Sequence, residues 1–467
     1  MATARVVLAL LLGATVARAA QPDVATVRAA VEIEEDVYSY RPADNGAGPM
    51  WCSGSTCLVR IGGDVFASGL ETLDDAKPLN NCRWTLFKRG QGGWHLQQAD
   101  SAGRTREPCP MVGFPDGRLL MSVNPTLVDD RNAYSGPARP EILRFAAADA
   151  KQPPKTMLPQ WQAAPPFTEH SYRSFAADGV RSELILFQNI GYTHAQWAFR
   201  DKDGNWPAAG QLKWPWGAEY DKPQPVRICY PNVALKDRAV HFCGVSDIIE
   251  PYTKWRAYKK EITGRGWDYD FRRLFYTWTD DVTSEKFHEW VEIASRDKTC
   301  GWISPGDLWA APDGRVHILW TDRATDLRLR EKFFPQVKQT HALNYAIVRR
   351  GKVISQRTLA EGGEGLSGEI PRQARFQVTP EGRLFVFYYV SGRDAAGKPL
   401  SENRLIELFD DGTAGPPVLV PLKHPFSSFF TTTIRAGSPA SNTIELLGVR
   451  AGASSTISYA RIELTRG

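Results

Sequence analysis

The sequence predicts an all-β protein, a seven-bladed β-propeller whose blades are four-stranded antiparallel sheets. One unit recurs along the chain: an apolar strand, a tight turn of the Asp-Gly-Arg type and a second apolar strand. Seven such turns are centred near residues 63, 117, 179, 237, 314, 382 and 438. Four strands of about six residues, with their connections, fill the spacing between turns. A repeat at this spacing is typical of radial β architectures.

The seven turns differ in how closely they match the repeat. The clearest copies lie in residues 114–121, 311–318 and 379–386, and weaker copies lie at 62–64, 177–179, 236–238 and 437–439. Pro and Gly spacing and runs of Val, Ile, Phe, Tyr and Trp predict strands throughout, and helical stretches are hard to find. Because a propeller must protect its sheet edges, the first and last strands are expected to share a blade or abut, with 459–464 as the closing strand.

Composition argues against nucleic-acid binding, and the N-terminus predicts export. Its 467 residues carry a net charge of +5, too small an excess for a nucleic-acid-binding surface. Arg5, the apolar run 6–16 and the small-x-small site 17–19 predict a signal peptide over residues 1–19, the alternative being a buried N-terminal helix. Residues 20–467 are then expected to form one propeller domain, secreted or periplasmic, monomeric and without a membrane partner.

The seven cysteines allow disulfides if the protein is exported. Cys229 and Cys243 flank a predicted hairpin almost symmetrically, so a cross-strand bridge is expected between them. Cys52, Cys57, Cys82 and Cys109 could form two further bridges in any of three pairings, which leaves Cys300 over. Their spacing does not match a zinc site.

Ligands of propellers usually bind where the innermost strand of each blade begins. Here these entry segments bring together His, Tyr, Arg, Glu and Trp, and they are residues 50–52, 106–108, 169–173, 227–231, 301–302, 369–372 and 424–426. Arginine binds carboxylates and sulfates, aromatic rings stack on sugar faces, and His and Tyr transfer protons. The mixture therefore predicts an acidic sugar as ligand.

Two patterns resemble known propeller families. Strand–turn–Trp hairpins at 84–94 and 194–206 resemble the Asp-box hairpins of sialidase-like, BNR-repeat propellers. Glu169-His170-Ser171, followed by Gly191-Tyr192-Thr193-His194 and then Cys229-Tyr230-Pro231, resembles the layout of ulvan-lyase-type polysaccharide lyases. Those lyases carry an Arg after the second strand of the Tyr-bearing blade. Here residues 244–247 read Gly-Val-Ser-Asp, and Arg256 is the expected substitute.

The resemblance implies β-elimination on a uronate-containing polysaccharide. A positive group offsets the carboxylate, a base removes the C5 proton and an acid protonates the leaving O4. His170, Tyr230 and His194 are the expected catalytic residues. The expected substrate contacts are Arg173, Tyr172, Arg227, Arg256, Trp302 and Arg372. No cofactor is expected, although a structural or charge-neutralising divalent cation stays open.

Two alternatives to a lyase remain open on the same scaffold: a glycoside hydrolase, and a non-catalytic propeller that binds glycans or proteins. An enzyme requires His170, Tyr230 and an Arg around one pocket, whereas a binder requires only a polar, aromatic groove. His241 and His317 share one repeat position and are interpreted as packing residues. His95, His288 and His341 are expected to face solvent, and the basic run 254–260 is expected to be a solvated loop.

Overall fold

Seven four-stranded antiparallel sheets make up the molecule, as the seven repeats predict. The computed structural model describes residues 27–466, and the predicted signal peptide lies outside them. Chain order passes through the blades once, and within blades 1 to 6 each strand pairs with the next. The predicted fold class, a seven-bladed β-propeller, is therefore confirmed.

The strands are numbered in chain order. The first, β1 (Val27–Ser39), belongs to the last blade. Blades 1 and 2 contain β2 (Leu58–Ile61), β3 (Asp64–Thr72), β4 (Cys82–Gly90) and β5 (Gly93–Ala99), then β6 (Met111–Gly113), β7 (Arg118–Val123), β8 (Glu141–Ala146) and β9 (Lys155–Met157). Blade 3 contains β10 (Ser174–Asp178), β11 (Glu183–Ile190), β12 (His194–Arg200) and β13 (Ala208–Lys213), and a small hairpin follows, β14 (Trp216–Gly217) and β15 (Gln224–Pro225).

Blade 4 is interrupted by an insertion that carries a helix. The elements of blade 4 and its insertion are β16 (Ile228–Lys236), β17 (Ala239–Ser246), β18 (Ile248–Ile249), α1 (Thr253–Thr263), β19 (Tyr269–Asp270), β20 (Arg273–Thr279) and β21 (Val291–Ser295). Blade 5 contains β22 (Trp302–Ala310), β23 (Val316–Arg323), α2 (Leu327–Phe333), β24 (Thr340–Arg349) and β25 (Lys352–Gly363). Blade 6 contains β26 (Glu369–Val378), β27 (Leu384–Arg393), β28 (Pro399–Leu408) and β29 (Val418–Val420), and blade 7 contains β30 (Phe426–Thr431), β31 (Thr443–Arg450), β32 (Thr456–Arg466) and β1.

The ring is closed by pairing the two ends of the described chain. Strand β1 is the outermost strand of blade 7 and pairs with β32 from Val27 opposite Arg466 to Ser39 opposite Thr456. The predicted closing strand, 459–464, lies inside β32, so the expectation that both ends share one blade is confirmed. Closure in this way leaves no long edge between the first and last blades.

All seven predicted turns connect the first and second strands of a blade. They therefore lie together at one end of the propeller, which we call the turn face, and the inner strands begin at the opposite end, the entry face. In the best copies the glycines have positive φ, 87° at Gly117 and 81° at Gly314, which explains why Gly occupies that position. Asp116 reinforces its turn by accepting a hydrogen bond from the backbone N–H of Arg118 at 3.1 Å.

Two helices correct the prediction of strands throughout. The basic run 254–260 lies in α1 rather than in a loop, and α1 ends at Gly264, whose φ is 70°. A buried ion pair between Lys259 Nζ and Glu250 (2.7 Å) fixes α1 to the blade, and Glu250 also pairs with Arg272. No helix within residues 27–466 is long and apolar enough to cross a bilayer.

The central channel is filled by the chain segment that precedes blade 1. The carbonyl oxygen of Ser53 accepts a hydrogen bond from Arg375 of blade 6 (2.7 Å), and that of Gly54 accepts one from Arg435, which follows the inner strand of blade 7 (3.1 Å). Ser55 Oγ accepts from the backbone of Phe175 in blade 3. Contacts to three blades place residues 53–55 on the channel axis, where they form a plug beneath the entry face.

The predicted disulfides are absent. All seven cysteines lie among the described residues, and all are buried free thiols. The predicted bridge fails because Cys229 lies opposite Val245 whereas Cys243 lies opposite Asn232, with a bulge between the two pairs. The two sulfurs are therefore not cross-strand neighbours.

The repeated histidines have the same structural role. His241 Nδ1 hydrogen-bonds to the hydroxyl of Tyr276 at 2.9 Å, and His317 Nδ1 to that of Tyr345 at 2.6 Å. In both blades the tyrosine is on the third strand. The prediction that these histidines are packing residues agrees with this repeated contact.

Replacing His317 by Ala should lower the free energy of unfolding by about 1–3 kcal/mol, because the buried hydroxyl of Tyr345 loses its partner. Chemical denaturation measures the change. His95, which is exposed on blade 1, provides the control, and His95→Ala should unfold like wild type. Equal stability of the wild type and the His317→Ala protein would show that the repeated contact is not structural.

Candidate functional site

Irregularities at the start of the inner strands shape the entry face. Strands β16, β22, β26 and β30, in four consecutive blades, each change register there. The extra residues are Tyr230-Pro231, Gly306, Arg372-Gln373 and Ser427. A bulge turns a side chain out of the alternating pattern and re-aims it. Tyr230 has a φ of 48°, unusual for a residue other than glycine.

An aromatic cluster surrounds the predicted catalytic pair. Trp51, which immediately precedes the plug, stacks on Tyr172 with ring centroids 4.5 Å apart, and it meets His170 and Tyr230 edge-on at 5.5 and 5.6 Å. His170 lies 4.7 Å from Tyr172, and Tyr172 lies 5.3 Å from Tyr230. The structure therefore brings His170, Tyr172 and Tyr230 into one cluster, in which His170 and Tyr230 each contact both Trp51 and Tyr172. Trp51, for which no role is predicted, joins them.

Arg227 holds this cluster from beneath. It is 5 % exposed, and its guanidinium pairs with Asp247 at 2.6 Å. The same guanidinium lies over the rings of Tyr172, Tyr192 and Tyr269, at 5.3, 3.9 and 5.7 Å from their centroids. These contacts make Arg227 a positioning residue, whereas the sequence predicts a substrate contact.

The cluster keeps His170 neutral. Burial, reinforced by the nearby guanidinium groups of Arg106 and Arg227, lowers the pKa of His170 to about 3. Its Nε2 atom is buried without a hydrogen-bond partner. Burial also raises the pKa of the Tyr230 hydroxyl, so this group is protonated at neutral pH. A neutral imidazole can accept a proton and a protonated phenol can donate one, although the burial that fixes these states also weakens His170 as a base and Tyr230 as an acid.

A basic pocket of about 300 Å³ opens beside the cluster, between blades 5 and 6. Trp302 lines it at the entry of β22, and the guanidinium of Arg323 lies over that ring at 5.1 Å. Arg372, which is exposed, and His341 complete its polar wall. Arg323 lies directly opposite His341 on the neighbouring strand. The other lining residues are Ser304, Pro305, Gly306, Thr321, Asp322, Pro371, Gln373, Ala374 and Ser427.

His341 is predicted to face solvent on an outer strand or loop. In the structure it is half-buried and lines the basic pocket. It begins the third strand of blade 5 at the entry face. Burial and the neighbouring Arg372 and Arg323 lower the pKa of its imidazole. This position could not be predicted from the sequence, because only the register of β23 against β24 places His341 beside Arg323.

Phe271 joins the cluster to the pocket. Its ring lies 6.1 Å from Tyr230 and 4.5 Å from Trp302. The aromatic cluster and the basic pocket are therefore parts of one continuous surface on the entry face.

The remaining predicted residues lie apart from that surface. Arg173 is 1 % exposed and donates to the carbonyl oxygen of Pro108, so it is buried below the site. His194 is at the entry face, and its ring nitrogens hydrogen-bond to Thr193 (2.8 Å) and Gln196 (3.1 Å). Arg256 is exposed on α1 and donates to the carbonyl oxygen of Gly266. None of their hydrogen bonds reaches the aromatic cluster or the basic pocket.

Three buried carboxyl groups lie at the entry ends of blades 2, 4 and 5. Burial raises the pKa of Glu107, Asp247 and Asp322. The carboxylate of Asp322, a residue of the basic pocket, accepts hydrogen bonds from Arg296 and Asn344, each at 2.9 Å. Side chains alternate along a strand, so Asp322 points to the face opposite to Arg323.

Two other features lie at the turn face. A cavity of about 780 Å³ is lined by residues of the inner turns, both small ones (Ala, Pro and Gly) and charged ones such as Lys236, Asp313 and Arg315. The loop after β20 brings together Asp280, Glu285 and His288, whose potential ligand atoms lie within 4.8 Å of one another. All three are exposed, and they are at the end of the blade opposite to the basic pocket. They cannot neutralise a ligand bound there.

Comparison with known proteins shows only distant similarity. No protein-family model matches the chain, and no curated protein matches it. A solved protein of unknown function from Dyadobacter fermentans is 14 % identical with a TM-score of 0.43, covering 94 % of this chain and 99 % of that chain. An α-L-arabinanase from Penicillium chrysogenum, in complex with arabinobiose, is 12 % identical with a TM-score of 0.42, covering 93 % and 98 %.

An α-L-arabinofuranosidase from Fusarium graminearum, in complex with an iminosugar inhibitor, is 9 % identical with a TM-score of 0.45, covering 93 % of this chain and 98 % of that chain. Such low similarity does not assign an activity to this chain. The resemblance to BNR-repeat propellers and ulvan lyases stays a prediction.

The imidazole of His170 should remain neutral throughout the range from pH 5 to 8, in which an ordinary histidine titrates. Its folded pKa, about 3, lies below the unfolded value of about 6.5. Between these two pKa values the imidazole is protonated in the unfolded chain but not in the folded protein. His170 therefore lowers the free energy of unfolding as the pH falls below 6.5. Histidine NMR titration, with His170→Gln to assign the signal, tests this. A midpoint between pH 6 and 7 would contradict the desolvated environment described above.

Proposed function

We propose that this protein is a carbohydrate-active enzyme that cleaves an acidic glycan on its entry face. The observation that carries the proposal is the continuity of two surfaces. His170 and Tyr230 form a neutral base and a protonated acid in one aromatic cluster. Beside them, Arg323 and Arg372 flank Trp302 in the basic pocket. Aromatic rings stack on sugar faces, and paired guanidinium groups bind carboxylate or sulfate.

Elimination is the first candidate reaction. With the carboxylate of a uronate offset by positive charge on the entry face, the C5–H bond breaks and its proton passes to His170. The C4–O4 bond then breaks, a C4=C5 double bond forms, and O4 takes a proton from the Tyr230 hydroxyl. A bound anionic sugar places negative charge near His170 and raises the pKa of the imidazole, so the group becomes a stronger base in the complex.

Hydrolysis is the second candidate, and one observation favours it. A glycosidase uses a carboxyl group whose pKa is raised, and burial raises the pKa of Glu107, Asp247 and Asp322 at the entry face. The usual mechanism needs two carboxyl groups on either side of the glycosidic bond. Here the three groups are engaged by Ser171, Arg227 and Arg296. Water would therefore have to be activated by His170 or by a carboxyl group released from its partner.

A screen of purified protein against acidic polysaccharides decides between these reactions. Alginate, polygalacturonate, chondroitin sulfate and ulvan are the acidic substrates, and arabinan is the neutral one. Elimination produces an unsaturated uronate that absorbs ultraviolet light, whereas hydrolysis produces reducing ends without that absorbance. Binding without new reducing ends would leave the protein a non-catalytic glycan binder and would refute the proposal that it is an enzyme.

On the substrate found in that screen, His170→Ala and Tyr230→Phe should each lower kcat by at least ~100-fold, because each removes one proton-transferring group. Steady-state kinetics measures the loss, and near-UV circular dichroism checks that the fold is kept. Tyr134→Phe, which removes the hydroxyl of an exposed tyrosine in the β7–β8 loop, outside the aromatic cluster, is the matched control and should be fully active. Full activity of folded His170→Ala protein would move the chemistry to another part of the entry face.

A further inference from the structure

Four aromatic residues from three parts of the chain form an unbroken strip across the entry face. We call it the aromatic strip: Tyr192, Tyr269, Phe271 and Trp302. The hydroxyls of Tyr192 and Tyr269 are 3.0 Å apart, which joins the β11–β12 turn of blade 3 to the insertion of blade 4. The ring of Tyr269 lies 6.4 Å from Phe271, and Phe271 lies 4.5 Å from Trp302.

Each ring of the strip keeps part of its surface accessible to solvent. Tyr192 is 42 % exposed, and the other three side chains are half-buried. A contiguous row of accessible aromatic rings is unusual on a soluble protein and marks a binding surface. Its alternative role, packing the insertion against the ring, does not require Tyr192 to remain exposed.

The two ends of the aromatic strip differ in the positive charge that a ligand can reach. Beneath one end, the guanidinium of Arg227 lies 3.9 Å from the ring of Tyr192, which fixes that ring and leaves its outer side accessible. At the other end, Trp302 forms the wall of the basic pocket, beside Arg323 and Arg372. A ligand that follows the strip therefore meets uncharged aromatic surface first and positive charge last.

We propose that the aromatic strip binds a glycan chain longer than one sugar, with an anionic residue of that chain seated in the basic pocket. This inference rests on the proposed function and narrows its substrate class to acidic oligosaccharides and polysaccharides rather than single sugars. The span from Tyr192 to Trp302 covers four rings, more than one pyranose can contact. Stacking along the strip supplies affinity for the chain, and the pocket supplies selectivity for charge.

Affinity electrophoresis in native gels tests this directly. The probe is polygalacturonate in the gel, or the acidic polysaccharide that slows the wild-type protein most. Free galacturonate, measured by calorimetry, is the single-sugar probe. Tyr192→Ala and Phe271→Ala should each weaken binding to the polymer by roughly 2- to 10-fold, the value of one lost aromatic contact. Binding of galacturonate should not change, because that sugar fills only the basic pocket.

Tyr134→Ala is the matched control, since Tyr134 is 72 % exposed and lies outside the strip. Phe271→Leu keeps an apolar side chain in place should Phe271→Ala not fold, and it should weaken polymer binding as well. Wild-type retardation of the Tyr192→Ala protein, or equal weakening of polymer and galacturonate binding, would overturn the proposal. If the protein cleaves no glycan but its retardation still depends on the strip, the proposed enzymatic function is refuted and the proposed glycan binding is supported.

Discussion

The pairing of β1 with β32 is the constraint on which the rest of the structure depends. It closes seven blades into a ring and makes the first described strand the outermost strand of the last blade. The chain must then cross the entry face to reach the inner strand of blade 1. On that path residues 53–55 enter the channel and are held by Arg375 and Arg435. Trp51, just before them, becomes the partner of His170, Tyr172 and Tyr230. Ring closure and the floor of the site are therefore built by one segment.

Buried charged groups position the aromatic side chains of the entry face. Arg227 and Asp247 are an ion pair out of contact with solvent, and removing either partner would leave an isolated buried charge. The pair is useful because its guanidinium fixes three tyrosine rings at once. The same low-dielectric surroundings keep His170 neutral and Tyr230 protonated. The arginines of the basic pocket, by contrast, remain open to a ligand.

Much of this fold follows from local signals in the sequence, and much of the site does not. The Asp-Gly-Arg turns can be counted because each depends on a few adjacent residues, and the entry positions of His170, Tyr230, Trp302 and Arg372 follow from them. The register between strands that are distant in sequence cannot be predicted from such local signals. It places His341 beside Arg323, separates Cys229 from Cys243, and buries Arg173 and Arg227, which the sequence predicts to contact substrate. The helix over 253–263 is hidden because its basic and aromatic residues also suit a loop.

The central claim is that positive charge on the entry face, and not elsewhere on this weakly basic protein, recognises an acidic glycan. Calorimetric titration of an acidic oligosaccharide into Arg372→Ala and Arg349→Ala proteins tests it, since both changes remove one exposed arginine and only Arg372 lines the basic pocket. Arg349 ends β24 at the turn face. The account predicts that Arg372→Ala weakens binding by roughly 10-fold or more, the value of a charged hydrogen bond, and that Arg349→Ala binds like wild type. Equal affinities of the two variants would contradict it.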